Sequence, residues 1–155
     1  LSDAPAPATP PHPIPASVAA DSGASSLLGE RGRGELAERM GIEFTELSAE
    51  RSVATMPAEG NRQPIGLIHG GAYCVLAESL GSMSANAHAI GLGRYAVGID
   101  INATHTRSVR EGTVTGTCTA VHLGSSMTVH EIVITDESGA RVSTARITNL
   151  LRDRR

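Results

Sequence analysis

Between Gly66 and Gly93 the chain carries one permanently charged side chain, Glu78, although Lys, Arg, Asp and Glu make up 29 of its 155 residues. From about Gly70 to Ile90 there is no proline, and Ala72, Val75, Leu76, Leu80, Met83 and Ala87 recur at spacings of three and four, the period of an α-helix. About 20 residues at this rise make a helix roughly 30 Å long. Nearly every face of it is apolar or small, so other structure has to enclose it. A membrane would suit its length. Ser79, Ser82, Ser84, Asn86, His88 and the central Glu78 argue against a span.

The sequence after the helix supplies an enclosure. Past Gly91 and Gly93 the period becomes two, with Tyr95, Val97, Ile99, Ile101 and Ala103 expected on one face and Asp100, Asn102, Thr104 and Thr106 on the other. "GTVTGTCTAVH" sets Thr113, Thr115, Thr117 and Thr119 against Val114, Cys118 and Ala120; "SMTVHEIVITD" and "ARVSTARITNLL" follow, joined by a turn at Asp136 to Gly139. The Thr row is read as a strand face of high β-propensity. These four strands of roughly ten to twelve residues span about 35 Å each and have short connections. Upstream, Leu27 to Met40 has helical character in its second half and stops at Gly41. "GIEFTELSAERSVATMP" reads as two strands turning near Ser48 to Glu50 and ended by Pro57, and "AEGNRQPIG" as a loop. An antiparallel sheet of such strands curves round the helix and buries its stripe without a further layer, an α+β architecture.

Residues 1–25 hold six of the eight prolines, with Ala and Ser and no lysine-flanked apolar run, and are expected to be a disordered lead. The folded domain is placed at 26–151 and a short basic end at 152–155. A net charge of −3, with one Phe, two Tyr and no Trp, gives neither the basic footprint nor the stacking platforms of a nucleic-acid binder. Cys74 and Cys118 fit no disulfide framework or C-x-x-C motif, so a reducing, cytoplasmic setting is the default.

The order of elements and several short motifs together resemble the hotdog-fold acyl-CoA thioesterases, in the branch of the 4-hydroxybenzoyl-CoA, dihydroxynaphthoyl-CoA and phenylacetate-pathway enzymes. The resemblance runs from about Arg39 to Leu151. It is carried by Gln63, "HGG" at His69 to Gly71, "LAES" at Leu76 to Ser79, "NATHTRS" at Asn102 to Ser108 and "VHLGSS" at Val121 to Ser126. It implies that Glu78 is the catalytic carboxylate and that the Gly70 amide polarises the thioester carbonyl. Gln63 and His69 match polar residues bracketing the thioester, and Ser82 a water-holding position. Gly71, His105, Arg107, Ser108, His122, Gly124, Ser125 and Ser126 fall in segments resembling the CoA-contacting region. No cofactor is implied beyond the CoA substrate itself. A homodimer with interfacial sites is implied, frequently doubled to a tetramer.

The residues themselves support part of this. Thioester hydrolysis needs stabilisation of the carbonyl oxygen and either a base or a nucleophile. A helix start at "HGGA" leaves N–H groups free, and two glycines let a carbonyl approach them. Glu78 lies on the face shared with Gly71, Val75, Ser82 and Ala85, turned from the main stripe. Gly70 and Glu78 are eight residues apart, or about 12 Å along one helix axis, beyond a Glu side chain's reach. A reacting pair therefore comes from two chains, unless "HGG" folds back as a loop.

Plainer readings stand beside these. Glu78 can be a structural acid paired with a strand His or Arg, and His69 a cap for the helix start. Cys74 reads as a small packing residue. His88, His105, His122 and His130 lack metal-ligand spacing, so no metal site is expected. Two other functions remain: a non-catalytic acyl-CoA-binding or sensing protein, and a hotdog enoyl-CoA hydratase or dehydratase. The dehydratase's catalytic His would stand upstream of the carboxylate, where this chain, fourteen residues before Glu78, has Pro64.

Overall fold

The computed structural model describes residues 32–153. The Pro-rich lead, residues 27–31 of the segment read at 27–40, and Arg154 and Arg155 lie outside the described residues. A short helix α1 (Glu35–Arg39) is followed by strands β1 (Glu43–Leu47) and β2 (Arg51–Pro57). Next come the long helix α2 (Gly70–Gly91) and strands β3 (Arg94–His105), β4 (Thr113–Leu123), β5 (Met127–Thr135) and β6 (Arg141–Asp153). The last strand thus runs through Arg152 and Asp153, the start of the basic end expected at 152–155.

Six strands form one sheet in the order β1-β2-β4-β5-β6-β3, every neighbouring pair antiparallel. The helix lies on its inner face, the hotdog arrangement. Leu76 and Leu80 of α2 and Val114, Ile132, Ile134 and Ile147 of the sheet are all fully buried. Helix and sheet approach closely because each offers a glycine to the other. A Cβ on Gly81 would stand 2.2 Å from Ile147 Cγ2, and one on Gly116 of β4 2.6 Å from Leu80 Cδ1. Of the expected stripe, Ala72, Leu76 and Leu80 are buried, whereas Val75, Met83 and Ala87 are only half covered.

Strand β3 departs from its expected faces. Its pairing with β6 steps from Gly98↔Asn149 to Asp100↔Thr148, so Ile99 is the extra residue of a β-bulge. The bulge changes the phase of the alternation: Ala96 and Gly98 face inward before it, Ile101 and Ala103 after it. Tyr95, Val97 and Ile99 are therefore not on the core face and remain 41%, 41% and 56% exposed. β3 is also an end strand of the sheet. One place on it is already taken: the Asn86 side chain, from α2, accepts from the Ala96 N–H at 2.9 Å and donates to the Ala96 carbonyl at 3.3 Å.

Candidate active site

The loop between β2 and α2 is held at several points. Asn61 is buried and its Nδ2 donates to the carbonyls of Met40 (2.8 Å) and Pro57 (2.9 Å). The Gln63 N–H donates to the Leu67 carbonyl at 2.7 Å, closing a turn within the loop. A backbone bond from Ile68 N–H to the Val109 carbonyl (2.9 Å) and a side-chain bond from Arg62 Nε to the Arg110 carbonyl (2.7 Å) tie it to the segment after β3. A cleft of about 330 Å³ results, lined by Gln63, Leu67, Ile68, Gly70, His105, Thr106, Arg107 and Ser108. Residues that the sequence singled out in three separate segments meet here.

At the head of α2, His69 is the N-cap: its Nδ1 accepts from the Gly71 N–H at 2.8 Å. Its carbonyl accepts from the Ala72 N–H at 2.9 Å. The Gly70 N–H has no acceptor among the described residues, and Gly70 lines the cleft. His105 covers it closely. A Cβ on Gly70 would lie 2.9 Å from His105 Nε2, while His105 Nδ1 is 2.9 Å from Ser143 Oγ. Gly70 begins the helix, so "HGG" does not fold back, and the eight-residue offset to Glu78 holds at about 12 Å along the axis.

Glu78 is half-buried on the side of α2 facing β3. Ser82, one turn on, donates to its Oε1 at 2.8 Å. The carboxylate lies against the backbone of β3: a Cβ on Gly98 would meet Oε1 at 2.5 Å and Oε2 at 3.4 Å. No Arg, Lys or His among the described residues forms an ion pair with it. The structural-pair alternative for Glu78 thus finds no partner within the described chain.

The remaining expected contacts stand elsewhere. His122, Gly124, Ser125 and Ser126 lie at the other end of the sheet, where Gly124 N–H donates to the Met127 carbonyl (2.9 Å) and Leu151 N–H to the Ser126 carbonyl (2.8 Å). Ser126 lines a second cleft of about 420 Å³ with Arg94, Tyr95, Leu151, Arg152 and Asp153. β3 separates the two clefts, starting at Arg94 and ending at His105. One protomer therefore does not bring the whole expected set together.

Two residues of the Glu78 surroundings escaped the sequence reading. Gly98 is a glycine inside a strand pattern, a sign of close backbone approach or a bulge. Asn149 is the polar interruption of the inward series Ala145, Ile147, Leu151 on β6, fully buried with Oδ1 3.3 Å from Ser82 Oγ. Cys74 and Cys118 are free; burial pushes the Cys118 thiol up to about 11, so it is inert as a nucleophile. No group of His, Cys, Asp or Glu that could hold a metal occurs among the described residues. No helix among them is long and apolar enough to cross a membrane.

A helix-start amide without an acceptor among the described residues thus borders a cleft, and a carboxylate without a cationic partner among them stands farther along the same helix, on a hotdog scaffold. Comparison with known proteins shows the family. The family model "Thioesterase superfamily" matches residues 65–143. The 1,4-dihydroxy-2-naphthoyl-CoA hydrolase of Escherichia coli is 41% identical over 125 residues, covering 80% of this chain and 91% of that protein. The proofreading thioesterase EntH of Cronobacter turicensis is 45% identical over 115 residues, covering 74% and 83%. A crystal structure of a mutant thioesterase from Pseudomonas aeruginosa superposes with a TM-score of 0.74 at 35% identity, covering 81% of this chain and 91% of that one. This chain belongs to the thioesterase superfamily and is a thioester hydrolase.

Proposed function

We propose that the substrate is an aromatic or medium-chain acyl-CoA, cleaved to CoA and the free acid, with Glu78 as general base or nucleophile and the Gly70 N–H polarising the carbonyl. In one route Glu78 attacks the carbonyl carbon, CoA leaves as thiolate, and water then opens the mixed anhydride. In the other, Glu78 takes a proton from the water that attacks. Either way negative charge grows on the carbonyl oxygen, and a backbone donor aimed at it contributes roughly 3–4 kcal/mol to the transition state. The reaction so written needs no cofactor and no metal. The single observation that carries the reading is the Glu78 carboxylate, bonded to Ser82 and without a cationic partner among the described residues.

The site is assembled by two copies of the chain. Glu78 faces β3, whose edge has no partner strand among the described residues, and the exposed Tyr95, Val97 and Ile99 give that edge an apolar strip. A second copy related by a two-fold axis and laid antiparallel along β3 sets its His105 end beside Arg94 and Ser126 of the first. That arrangement brings its Gly70 towards Glu78 and unites the two groups of CoA contacts, His105, Arg107 and Ser108 from one copy with His122, Gly124, Ser125 and Ser126 from the other. Gln63 and His69 bracket the thioester, and Gly71 lets it approach. A tetramer of two such pairs is the larger assembly, and a cytoplasmic, reducing compartment suits the two free cysteines.

The test is thiol release from benzoyl-CoA, 1,4-dihydroxy-2-naphthoyl-CoA and octanoyl-CoA by wild type, Glu78→Gln and Glu78→Ala. Wild type should turn over at least one, and both variants should lose about a hundredfold or more. Undiminished hydrolysis by Glu78→Ala rejects the assignment, and acyl-CoA binding without turnover by wild type favours a sensing protein.

A further inference from the structure

We propose that Asn149 is a positioning residue for Glu78, acting through Ser82, and that it leaves Oε1 as the held oxygen and Oε2 as the reacting one. The inference deepens the reading above and rests on it. Asn149 lies on β6 between Gly98 of β3 and Thr128 of β5, its register partners. Asn149 and Thr128 are both fully buried, and neither Asn149 Nδ2 nor Thr128 Oγ1 has a hydrogen-bond partner among the described residues. Polar groups left without partners in an aliphatic core destabilise a fold, so a buried amide in this place calls for a role.

Ser82 Oγ stands 2.8 Å from Glu78 Oε1 and 3.3 Å from Asn149 Oδ1, two acceptors for one hydroxyl proton. The proton belongs to the shorter, charge-assisted contact. The Asn149 side must then offer a donor. Rotating the amide by 180° exchanges Oδ1 and Nδ2 at no steric cost. One N–H of Nδ2 then donates to Ser82 Oγ, giving the amide nitrogen the partner it otherwise lacks among the described residues. Oδ1 takes the place Nδ2 held, and Thr128 is the register partner of Asn149 on β5, the two Cβ atoms of such a pair being about 4.5–5.5 Å apart. The relay runs Asn149 Nδ2–H to Ser82 Oγ–H to Glu78 Oε1. It fixes the hydroxyl rotor, which fixes the carboxylate against Gly98. Oε2 accepts no hydrogen bond among the described residues and is the oxygen left for chemistry.

The test measures kcat and KM for wild type, Asn149→Leu, Ser82→Ala and the double variant, using whichever of the three acyl-CoAs turns over fastest, alongside thermal melts. Asn149→Leu should lower kcat about tenfold with KM within twofold of wild type. Ser82→Ala should lose a similar factor, and the double variant should be no worse than the poorer single variant, because both cut one relay. A folded Asn149→Leu with wild-type kcat, or losses that multiply in the double variant, overturn the proposal. If Asn149→Leu does not fold, the isosteric pair Asn149→Thr and Asn149→Val replaces it: Thr keeps a donor and should exceed Val in kcat at least fivefold, and equal values overturn it. Glu78→Gln run in parallel separates the two readings. Loss in Glu78→Gln without loss in Asn149→Leu removes the inference alone; retained kcat in Glu78→Gln, or no turnover of any substrate by wild type, removes both.

Discussion

Replacing Gly98 by alanine tests the placement of the carboxylate with a single methyl group. The added Cβ would lie 2.5 Å from Glu78 Oε1 and 3.3 Å from its Cδ, where ordinary contact begins at 3.4 Å. The overlap with Oε1 is about 0.9 Å. The backbone of β3 is hydrogen-bonded to β6 at this point and Gly98 is not in the left-handed region, so alanine fits the strand, and the end of the Glu78 side chain is what yields. Moving it by that distance breaks the 2.8 Å bond to Ser82 and takes the carboxylate out of line. A misplacement of about 1 Å at a reacting group costs on the order of a hundredfold in rate. Stability should move the other way, since Gly→Ala at a compatible position raises it by about 0.4–1 kcal/mol through the unfolded chain. The assay is thiol release at saturating acyl-CoA together with a thermal melt. The expected result is kcat lower by about ten- to a hundredfold at an unchanged or higher melting temperature. A kcat within twofold of wild type would refute the placement of Glu78 under β3, and a large fall in melting temperature would show that the strand, not the side chain, had given way.

Three further outcomes follow from the same geometry. Gly70→Ala puts a methyl 2.9 Å from His105 Nε2 in the cleft, and kcat/KM should fall tenfold or more with little change in melting; equal kcat/KM would show that the cleft is not where the acyl group reacts. Gly81→Ala drives a Cβ to 2.2 Å from Ile147 Cγ2, a buried β-branched side chain that cannot retreat, and overpacking of about 1–3 kcal/mol should outweigh the gain in helix propensity and lower the urea midpoint. Burial holds the His130 imidazole below its usual 6.5, against a smaller upward pull from its bond to the Ala49 carbonyl and with His88 adding to the decrease. The unfolded chain therefore binds the proton first: stability present above pH 6.5 is lost as pH falls towards the lowered folded value. Urea midpoints from pH 8 to 5 should show this slope in wild type and a flatter one in His130→Gln; parallel profiles would refute it.

The sequence was most legible where pattern and period agree. The apolar, proline-free run placed α2 to within a residue, because enclosure on all sides leaves one reading of so uncharged a segment. Ser48 was read at the turn it in fact closes, its Oγ donating to the Arg51 carbonyl at 2.8 Å. β3 was read with its apolar residues in one continuous alternation, and the bulge at Ile99 defeats that reading because an inserted residue changes phase without changing composition. Among the site residues, Gln63, Gly70, His105, Arg107 and Ser108 line one cleft. Their relation to Glu78 and to the turn at Gly124 to Ser126 depends on distances along a helix and a sheet, which motif order does not encode. Asn149 went unread because a single Asn in a strand looks like any solvent-facing residue until neighbouring strands close over it.

The bulge has a further consequence, for how the length of β3 can change. In a regular strand, losing one residue turns every side chain beyond it to the opposite face. Ile99 is already the surplus residue, so removing it joins Gly98 directly to Asp100 and keeps Gly98 and Ile101 both pointing at the helix. Excising Val97 instead would set Ala96 and Gly98 out of step with each other. In β3 the place where a codon can be lost without disturbing the wall above the carboxylate is thus position 99, next door to the glycine on which that wall depends.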